Sequence, residues 1–234
     1  MYKRVLLKLS GEQLAGQDEN GINPDVAGFL ASEVAKATKT GTQVVIMVGG
    51  GNFVRGATVA NEQIRRVTGD HMGMLATLIN ALALTDIFES QGIATRCLSN
   101  IFATQVAEPF VHRLANKHLE KGRVVVVAGG IGRPYLTTDT AAISLALEMD
   151  CNVVLKATKV DGVYDKDPAK HKDAKRFSSL AYQQAVEDGA IKVMDKAALG
   201  LAMEHGMPTI IYDSMVKGAL ARIVAGERIG TIIS

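Results

Sequence analysis

The sequence predicts a single α/β domain, spanning residues 1–234, in which helices cover both faces of a mainly parallel sheet. Short runs rich in Val, Ile and Leu alternate with helical segments along all 234 residues, and no linker rich in Pro or Ser interrupts them. Such runs are typical of strands buried on both faces, and their alternation with helices builds parallel sheets through right-handed crossovers. The predicted strands are 5–9, 43–48, 94–98, 124–128, 152–155 and 209–212.

Helical segments are predicted between these strands from the spacing of apolar residues. They lie near 24–40, 60–91, 107–121, 138–149, 195–205 and 215–225. The uncharged stretch 72–85 is shorter than the roughly 20 apolar residues of a membrane span. It contains Thr77 and Asn80, and we expect a helix buried inside the protein. Residues 159–179 are charged and broken by Pro168, which predicts a long surface loop.

The composition excludes several classes of protein. With 47% hydrophobic and 21% charged residues, the chain is typical of a soluble globular protein rather than a disordered, collagen-like or coiled-coil one. A net charge of +2 does not favour sequence-independent binding to nucleic acid or to a membrane. Cys97 and Cys151 lie in apolar runs, as buried thiols of a reducing compartment do, and residues 1–11 lack the apolar stretch of a secretory signal. We therefore expect a cytoplasmic protein.

Glycine-rich turns follow three of the predicted strands. They read K-L-S-G at 8–11, V-G-G-G-N at 48–52 and A-G-G-I-G at 128–132. In open parallel sheets, ligands bind beyond the carboxyl ends of the strands, where glycine lets backbone N–H groups approach a phosphate. One such turn is as often a tight connection between strand and helix. Three together predict a large, phosphorylated ligand.

The common nucleotide-binding signatures are absent or incomplete. No G-x-x-x-x-G-K-[ST] sequence occurs, which excludes the usual P-loop. Asp70 follows G-G-G-N at about the distance of a ribose-binding acid in a dinucleotide fold. However, Val54 or Tyr135 stands where that fold needs its third glycine, and Asp70 lies within a helical pattern. The dinucleotide fold is a minor alternative.

Several polar residues lie where a phosphorylated ligand would need them. Lys8, at the end of an apolar strand, either has an anionic partner or lies at an exposed strand end. Arg55 can bind a phosphate through two N–H donors, although a lone Arg after a turn is more often a solvated charge. Thr138 and Asp139 begin a helix, Thr138 as its predicted cap, and the same first turn can hold a nucleotide.

Five motifs, in this order, resemble the bacterial uridylate kinases. They are K-L-S-G at 8–11, G-G-G-N-x-x-R-G at 49–56, G-D-H-M-G-M-L-A-T at 69–77, T-T-D-T-A-A at 137–142 and K-A-T-K-V-D-G-V-Y at 156–164. D-P-A at 167–169 and V-M-D at 193–195 extend the resemblance over nearly the whole chain. It implies the amino-acid-kinase fold, a three-layer α/β/α sandwich around a mainly parallel sheet. It also implies transfer of the ATP γ-phosphoryl group to UMP with Mg²⁺, in pyrimidine nucleotide biosynthesis.

The resemblance implies a set of site residues as well. Lys8 would stabilise the transferring group, while Asp139 and Asp195 would orient the lysine or the hydrated Mg²⁺; no direct protein ligand of the metal follows. Residues implied for ATP are Lys8, Leu9, Ser10, Gly11, Gly51, Arg55, Thr158, Tyr164 and Asp167. Residues implied for UMP are Gly50, Asp70 on the ribose, Ile131, Gly132, Arg133, Pro134, Tyr135, Leu136, Thr137 and Thr138. The acceptor-binding part would lie mainly in 1–150 and the ATP-binding part mainly in 151–234.

Two positions depart from the family pattern, and two other functions stay open. Many relatives have Asn in place of Arg133 and an aromatic residue in place of Leu136, which leaves the contacts to uracil open. Residues 13–21 loosely resemble a GTP-responsive segment, so activation by GTP, inhibition by UTP and a homohexamer are expectations from the family. The same fold occurs in oxyanion-storage and nucleotide-sensing proteins, and in kinases of carboxylates such as acetylglutamate or carbamate.

Overall fold

A computed structural model describes residues 1–18, 20–187, 191 and 193–234. The strands are β1 (Arg4–Leu9), β2 (Gln43–Val48), β3 (Thr95–Ser99), β4 (Glu108–Pro109), β5 (Val124–Ala128), β6 (Val153–Thr158), β7 (Ser179–Leu180), β8 (Thr209–Asp213) and β9 (Thr231–Ile233). The helices are α1 (Gly11–Leu14), α2 (Pro24–Thr38), α3 (Gly56–Val59), α4 (Arg66–Ser90), α5 (His112–Glu120), α6 (Thr138–Glu148), α7 (Tyr182–Glu187), α8 (Lys196–His205) and α9 (Ala219–Val224).

The strands form one sheet in the order β4-β3-β5-β2-β1-β6-β8-β9-β7. Among the described residues, every pairing of these strands is parallel except that of β8 with β9. Strands β1 to β5 occupy one half of the sheet and strands β6 to β9 the other, and β1 and β6 join the two halves. The predicted α/β fold with a mainly parallel sheet is therefore confirmed.

Helices cover the sheet on both faces, as the apolar strands predict. Val5, Leu7 and Leu9 of β1 belong to one buried cluster, which includes residues of α2, α4 and α9. Leu6 belongs to the second cluster, on the opposite face, with residues of α6 and α8. Because successive side chains of a strand point to opposite faces, a strand covered on both sides has to be apolar throughout. The result is a three-layer arrangement.

Each predicted strand is present, but several other elements differ from the prediction. Strands β4, β7 and β9 were not predicted, because runs of two or three residues carry no readable pattern. The predicted helix 107–121 begins only at His112, after β4. The predicted helix 60–91 begins only at Arg66, with α4; in the turn between α3 and α4, Asn61 Oδ1 accepts hydrogen bonds from the N–H groups of Gln63 and Ile64.

The prediction that 72–85 is a helix buried inside the protein is only half right. This stretch lies in α4, and Thr77, Asn80 and Ala81 are buried there. The opposite side of the helix is exposed, with Leu75 at 54% and Ile79 at 49% of full exposure. An apolar stretch without periodicity predicts burial all round, but in the isolated chain the sheet covers only one side of this helix.

Both cysteines are free and buried, as predicted. Burial raises the pKa of Cys97 to about 11 and that of Cys151 to about 12. Their thiols therefore stay protonated near neutral pH and act as small apolar side chains.

We expect opposite stability effects from two glycine-to-alanine substitutions. A Cβ atom at Gly50 would lie 2.7 Å from the Gly73 carbonyl oxygen and 2.8 Å from Ala76 Cβ, whereas a Cβ atom at Gly200 in α8 meets open space. Gly50→Ala should lower the free energy of unfolding by about 2 kcal/mol through overpacking. Gly200→Ala should raise it by about 0.5–1 kcal/mol, because alanine is the better helix former. Urea unfolding tests both, and an unchanged midpoint for Gly50→Ala would contradict this packing.

Candidate functional site

Three cavities lie in a row at the carboxyl ends of β1, β2, β5 and β6. The central cavity, of about 610 Å³, is lined by Lys8, Ser10, Gly11, Glu12, Gln13, Gly49, Gly50, Gly51, Arg55, Thr137, Thr138, Asp139, Lys156, Ala157, Thr158, Lys159 and Asp195. The helix-side cavity, of about 250 Å³, includes Arg66 and Asp70 of α4 in its wall. The loop-side cavity, of about 380 Å³, includes Tyr164, Asp167 and Pro168.

The three cavities are adjacent, because neighbouring cavities share lining residues. The central and helix-side cavities share Gly50, Gly51, Arg55, Thr137 and Thr138. The central and loop-side cavities share Lys156 and Thr158. One elongated ligand, or two ligands that meet in the centre, can therefore occupy the row.

A separate cavity of about 720 Å³ lies by β3 and β4, but its charge does not suit a phosphate. The carboxylates of Asp86, Glu89 and Glu108 line it, with the single guanidinium group of Arg96. Arg96 is itself paired with Glu89 at 2.8 Å. The row of three cavities, with its lysines, arginines and glycine turns, is the better candidate site for phosphates.

The floor of the central cavity is a carboxylate held between two lysines. Lys8 Nζ lies 2.8 Å from Asp139 Oδ1, and Lys156 Nζ lies 2.6 Å from Asp139 Oδ2. Burial alone would raise the pKa of Asp139, but the two ammonium groups outweigh it and hold this pKa below its usual range. Lys8 has the anionic partner that its apolar strand requires. The cluster carries one net positive charge when both lysines are protonated.

Lys156 is a site residue that the sequence analysis missed. Parallel pairing of β1 with β6 sets Lys156 directly beside Lys8, so that both lysines reach Asp139. Lys156 also donates a hydrogen bond to the Val193 carbonyl. Burial lowers the pKa of its ammonium group, although Asp139 opposes this shift. The signal in the sequence is a lysine near the end of each of two apolar strands.

This lowered pKa predicts an alkaline limit on activity. If the protonated Lys156 is needed, kcat should fall as the pH rises, with a midpoint below the ordinary lysine value of about 10.4. In Lys156→Arg the limit should move upward or vanish, because a guanidinium group keeps its proton over this range. A pH profile of kcat tests this, and an identical alkaline limit in both proteins would contradict the role.

The first glycine turn is held by a capping box at the start of α1 and by close packing of Gly11 against the second glycine turn. Ser10 caps α1: its Oγ accepts from the Gln13 N–H, and the Ser10 N–H donates to Gln13 Oε1 at 3.1 Å. A Cβ atom at Gly11 would lie 2.7 Å from the backbone nitrogen of Gly51. Only glycine therefore lets the first turn pack against the second. Leu9 does not line the central cavity, because its side chain is fully buried in the core.

The second glycine turn is anchored on α4 by two fully buried amides that the sequence analysis did not single out for this role. The side chains of Asn52 and Asn80 donate to each other at 2.9 and 2.7 Å. Asn80 Nδ2 also donates to the Gly49 carbonyl at 2.7 Å. Arg55 follows this turn, and its exposed guanidinium group is paired with Glu12. A phosphate bound here by Arg55 would have to compete with that carboxylate.

The helix-side cavity brings α4 together with the turn that follows β5. Asp70 accepts hydrogen bonds from Arg66 Nε and from the Tyr135 N–H. Ile131, Arg133 and Leu136 line the cavity. Gly132, Pro134 and Tyr135, which the sequence analysis also assigned to this site, do not line it, although Tyr135 reaches Asp70 through its backbone.

Asp195 is held by hydrogen bonds at the starts of α6 and α8. Its carboxylate accepts from the Thr137 hydroxyl, from Thr140 Oγ1 at 3.0 Å and from the Ala198 N–H at 2.8 Å, which caps α8. Among the described residues it forms no ion pair with a lysine. It therefore holds the start of α6 in place. The cap of α6 is Thr137 and not the predicted Thr138, because the Thr137 hydroxyl accepts from the Asp139 N–H.

The loop-side cavity lies under the predicted surface loop. Thr158 Oγ1, at the end of β6, lies within hydrogen-bond distance of the carbonyl oxygens of Val160, at 2.6 Å, and Tyr212, at 3.0 Å. The Tyr164 hydroxyl donates to Asp161 at 2.6 Å, and Asp167 is exposed at the rim. Residues 159–178, which the structure describes throughout, form no helix or strand and only an isolated bridge between Tyr164 and Arg176; β7 begins at Ser179. Its length and charge match the prediction for 159–179.

Comparisons with known proteins agree with this geometry. The model of the amino acid kinase family matches residues 3–213. Uridylate kinases of Xanthomonas euvesicatoria and Xanthomonas axonopodis are each 50% identical over 232 residues, which is 99% of this chain and 96% of each relative. The structure of UMP kinase from Bacillus anthracis has a TM-score of 0.94 at 38% identity, covering 100% of this chain and 96% of that one. UMP kinase from Ureaplasma parvum has a TM-score of 0.91 at 30% identity, covering 100% and 99%.

These relatives cover the row of cavities and the whole sheet, and the family model covers every residue of the lysine–aspartate cluster. The chain therefore belongs to the amino acid kinase family and, within it, to the uridylate kinases.

Proposed function

We propose that the protein transfers the γ-phosphoryl group of ATP to UMP, giving ADP and UDP, as a step of pyrimidine nucleotide biosynthesis. The observation that carries this proposal is the cluster of Lys8, Asp139 and Lys156, in a cavity that shares lining residues with two others. Two nucleotides that enter from opposite ends would meet with their phosphates at this cluster. ATP would occupy the loop-side and central cavities, with its ribose and base near Thr158, Tyr164 and Asp167. UMP would occupy the helix-side cavity, with its ribose on Asp70.

Phosphoryl transfer between two such phosphates needs little covalent help from the protein. The reaction requires two anions to be brought together in line and the charge on the transferring group to be offset. Lys8, Arg55 and the N–H groups of the glycine turns would supply that positive charge. Asp139 would hold both lysines in position, and no general base is needed because the UMP phosphate is already an anion.

Mg²⁺ fits this site as a companion of ATP rather than as an ion in a protein cage. The described residues contain no group of three or more His, Cys, Asp or Glu side chains that could hold a metal ion. Asp139 is already paired with two lysines, and Asp195 accepts three hydrogen bonds. Mg²⁺ commonly keeps several waters and binds mainly to substrate phosphates. When present with ATP, Mg²⁺ would neutralise phosphate charge. Asp139 and Asp195 would lie at the border of the space that it occupies.

The positions of the cavities support separate acceptor-binding and ATP-binding parts within one domain. The residues that line the helix-side cavity lie within 50–138, and those that line the loop-side cavity lie within 156–211. We place acceptor binding mainly in the first part and ATP binding mainly in the second. The free cysteines fit a cytoplasmic protein.

Assembly and regulation belong to this proposal as expectations from the family. The exposed apolar side of α4, with Leu75 and Ile79, supports assembly of several chains, in line with a homohexamer. Activation by GTP and inhibition by UTP are expected from the resemblance of residues 13–21, of which residue 19 lies outside the described part of the chain.

A coupled assay of ADP release tests the proposed function. The purified protein is given ATP and Mg²⁺ with UMP, CMP, dTMP, AMP, acetylglutamate or carbamate as the acceptor. We expect UMP to be strongly preferred. Turnover with acetylglutamate or carbamate but not with UMP would overturn the proposal, and ATP binding without any turnover would indicate a nucleotide sensor.

Asp70→Asn should separate acceptor binding from ATP binding. A site that hydrogen-bonds a hydroxyl rejects the 2′-deoxy analogue mainly through the polar group left unpaired, and an amide lowers that penalty. We expect the KM for UMP to rise about tenfold, corresponding to the loss of one such hydrogen bond, and discrimination against dUMP to relax. The KM for ATP should stay nearly constant. Equal defects for ATP and UMP would reopen the dinucleotide alternative.

A further inference from the structure

Asp70 is held in one orientation by three neighbours that surround its carboxylate. Arg66 Nε lies 2.8 Å from Oδ1 and 2.9 Å from Oδ2, one helical turn earlier on α4. The Tyr135 N–H donates to Oδ2 at 2.8 Å. On another side, Gly56 packs so closely that a Cβ atom there would lie 2.5 Å from Oδ1. The carboxylate therefore has little freedom to rotate.

Arg66 also links α4 to the turn that follows β5. Its guanidinium carbon lies 5.4 Å from the centre of the Tyr135 ring, within the range of a cation–π contact. Tyr135 has a φ of +67°, a left-handed conformation that few non-glycine residues adopt. A conformation of this kind persists only where its surroundings hold it. Here the backbone of Tyr135 is held by Asp70 and its ring by Arg66.

Arg66 also offsets the negative charge of Asp70. Under the proposed function the helix-side cavity accepts the acceptor nucleotide with its phosphate, and Asp70 adds a negative charge to the wall of that cavity. The Asp70 side chain is only 11% exposed, so water screens its charge poorly. The paired guanidinium group of Arg66 offsets that charge and leaves the carboxylate free to accept hydrogen bonds from a ligand.

We propose that Arg66 is a positioning residue that determines the ribose specificity of the acceptor site. It does so by fixing the orientation of the Asp70 carboxylate and the position of the Tyr135 backbone relative to it. The inference rests on the proposed function, because it assigns the acceptor ribose to Asp70. Arg66 acts through Asp70: without the paired contact, the carboxylate turns away from the 2′-hydroxyl position, and selection against 2′-deoxy acceptors weakens.

The test compares kcat/KM for UMP with kcat/KM for dUMP in matched variants. Arg66→Met removes both the positive charge and the contact of Arg66 Nε with the two Asp70 oxygens. Arg66→Lys keeps the charge but loses the Nε–H group that makes this contact. Arg65→Met is the control, because Arg65 is the adjacent exposed arginine and caps α4 without a side-chain hydrogen bond. Asp70→Asn and the double variant with Arg66→Met complete a cycle.

We expect Arg66→Met to lower the ratio of UMP to dUMP efficiency about tenfold, the size expected for losing one hydrogen bond to a charged group. Arg66→Lys should lower it less, and Arg65→Met should leave it unchanged. The double variant should have the same ratio as Asp70→Asn, because Arg66 acts through that carboxylate. The KM for ATP should change less than twofold in every variant.

Two results would overturn this inference while leaving the proposed function intact. One is an equal loss for UMP and dUMP in Arg66→Met, which would make Arg66 a phosphate contact or a purely structural residue. The other is independence of the two substitutions: the fold-change of the UMP-to-dUMP efficiency ratio in the double variant would equal the product of the fold-changes in Arg66→Met and Asp70→Asn. If Arg66→Met does not fold, an unchanged ratio in Arg66→Lys overturns the inference. Wild-type protein that does not phosphorylate UMP would instead contradict the proposed function itself.

Discussion

Lys8→Met should lower kcat by about 100-fold or more and change the KM for UMP much less. The reason is that negative charge on the transferring group grows in the transition state, so a cation fixed beside it contributes mainly there. Removing one preorganised donor of this kind typically costs about 3 kcal/mol of transition-state stabilisation. Lys8 is 7% exposed, so water cannot easily replace its ammonium group. Steady-state kinetics with UMP and ATP varied separately measure both parameters.

The fold should survive this substitution. Asp139 keeps Lys156 as a partner at 2.6 Å, so the buried carboxylate is not left unpaired. Lys39→Met, at the exposed end of α2, is a suitable control for the loss of one positive charge. An equal loss of UMP affinity with an unchanged kcat would make Lys8 a binding residue only.

Asp139→Asn should reduce both activity and stability. Two buried ammonium groups would lose the charge that holds them together, and removing one partner of a buried ion pair costs about 3 kcal/mol or more. We expect kcat to fall about 100-fold, because Lys8 and Lys156 would no longer be fixed beneath the transferring group. Kinetics and urea unfolding at neutral pH measure the two effects. A stable variant with wild-type kcat would contradict the role given to this cluster.

The pH dependence of that stability difference is a second check. The two lysines hold the pKa of Asp139 below its usual range in the folded protein, so its contribution is fully present above the unfolded pKa, near 3.8. It is lost as the pH falls through the folded value. Asp139→Asn should therefore be much less stable than the wild type at neutral pH and closer to it below about pH 4. A constant difference would argue against the ion pairs.

Much of the fold could be predicted because the buried strands carry a strong pattern. The first and last residues of strands such as β2 and β5 were predicted correctly, because an apolar run between turns has few other interpretations. Edge strands β4, β7 and β9 were missed because they are very short. The exposed side of α4 was missed because periodicity records which residues are apolar, and not which faces the rest of the chain covers.

The site was predictable where a motif marks a turn, and less so where the fold creates the contact. Lys8, Arg55 and Asp139 stand beside recognisable glycine turns or helix starts, and the structure brings them to one cavity. The partnership of Lys8 with Lys156 depends on the order of strands in the sheet, since the two lysines are neighbours only because β1 pairs with β6. The sequence does not state that order. The contact between Asp70 and Tyr135 depends on it in the same way.

We propose that one row of cavities binds ATP and UMP end to end, with their phosphates meeting at Lys8, Asp139 and Lys156. Titration calorimetry with adenosine and uridine joined through their 5′ positions, by a phosphate chain long enough to replace both sets of phosphates, tests it most directly. Such a ligand makes both binding events intramolecular. We expect one molecule per chain, a Kd at least about 100-fold below that of UMP alone, and loss of that gain when adenosine replaces uridine. Binding no tighter than UMP alone, or simultaneous binding of the linked compound with free UMP, would contradict the account.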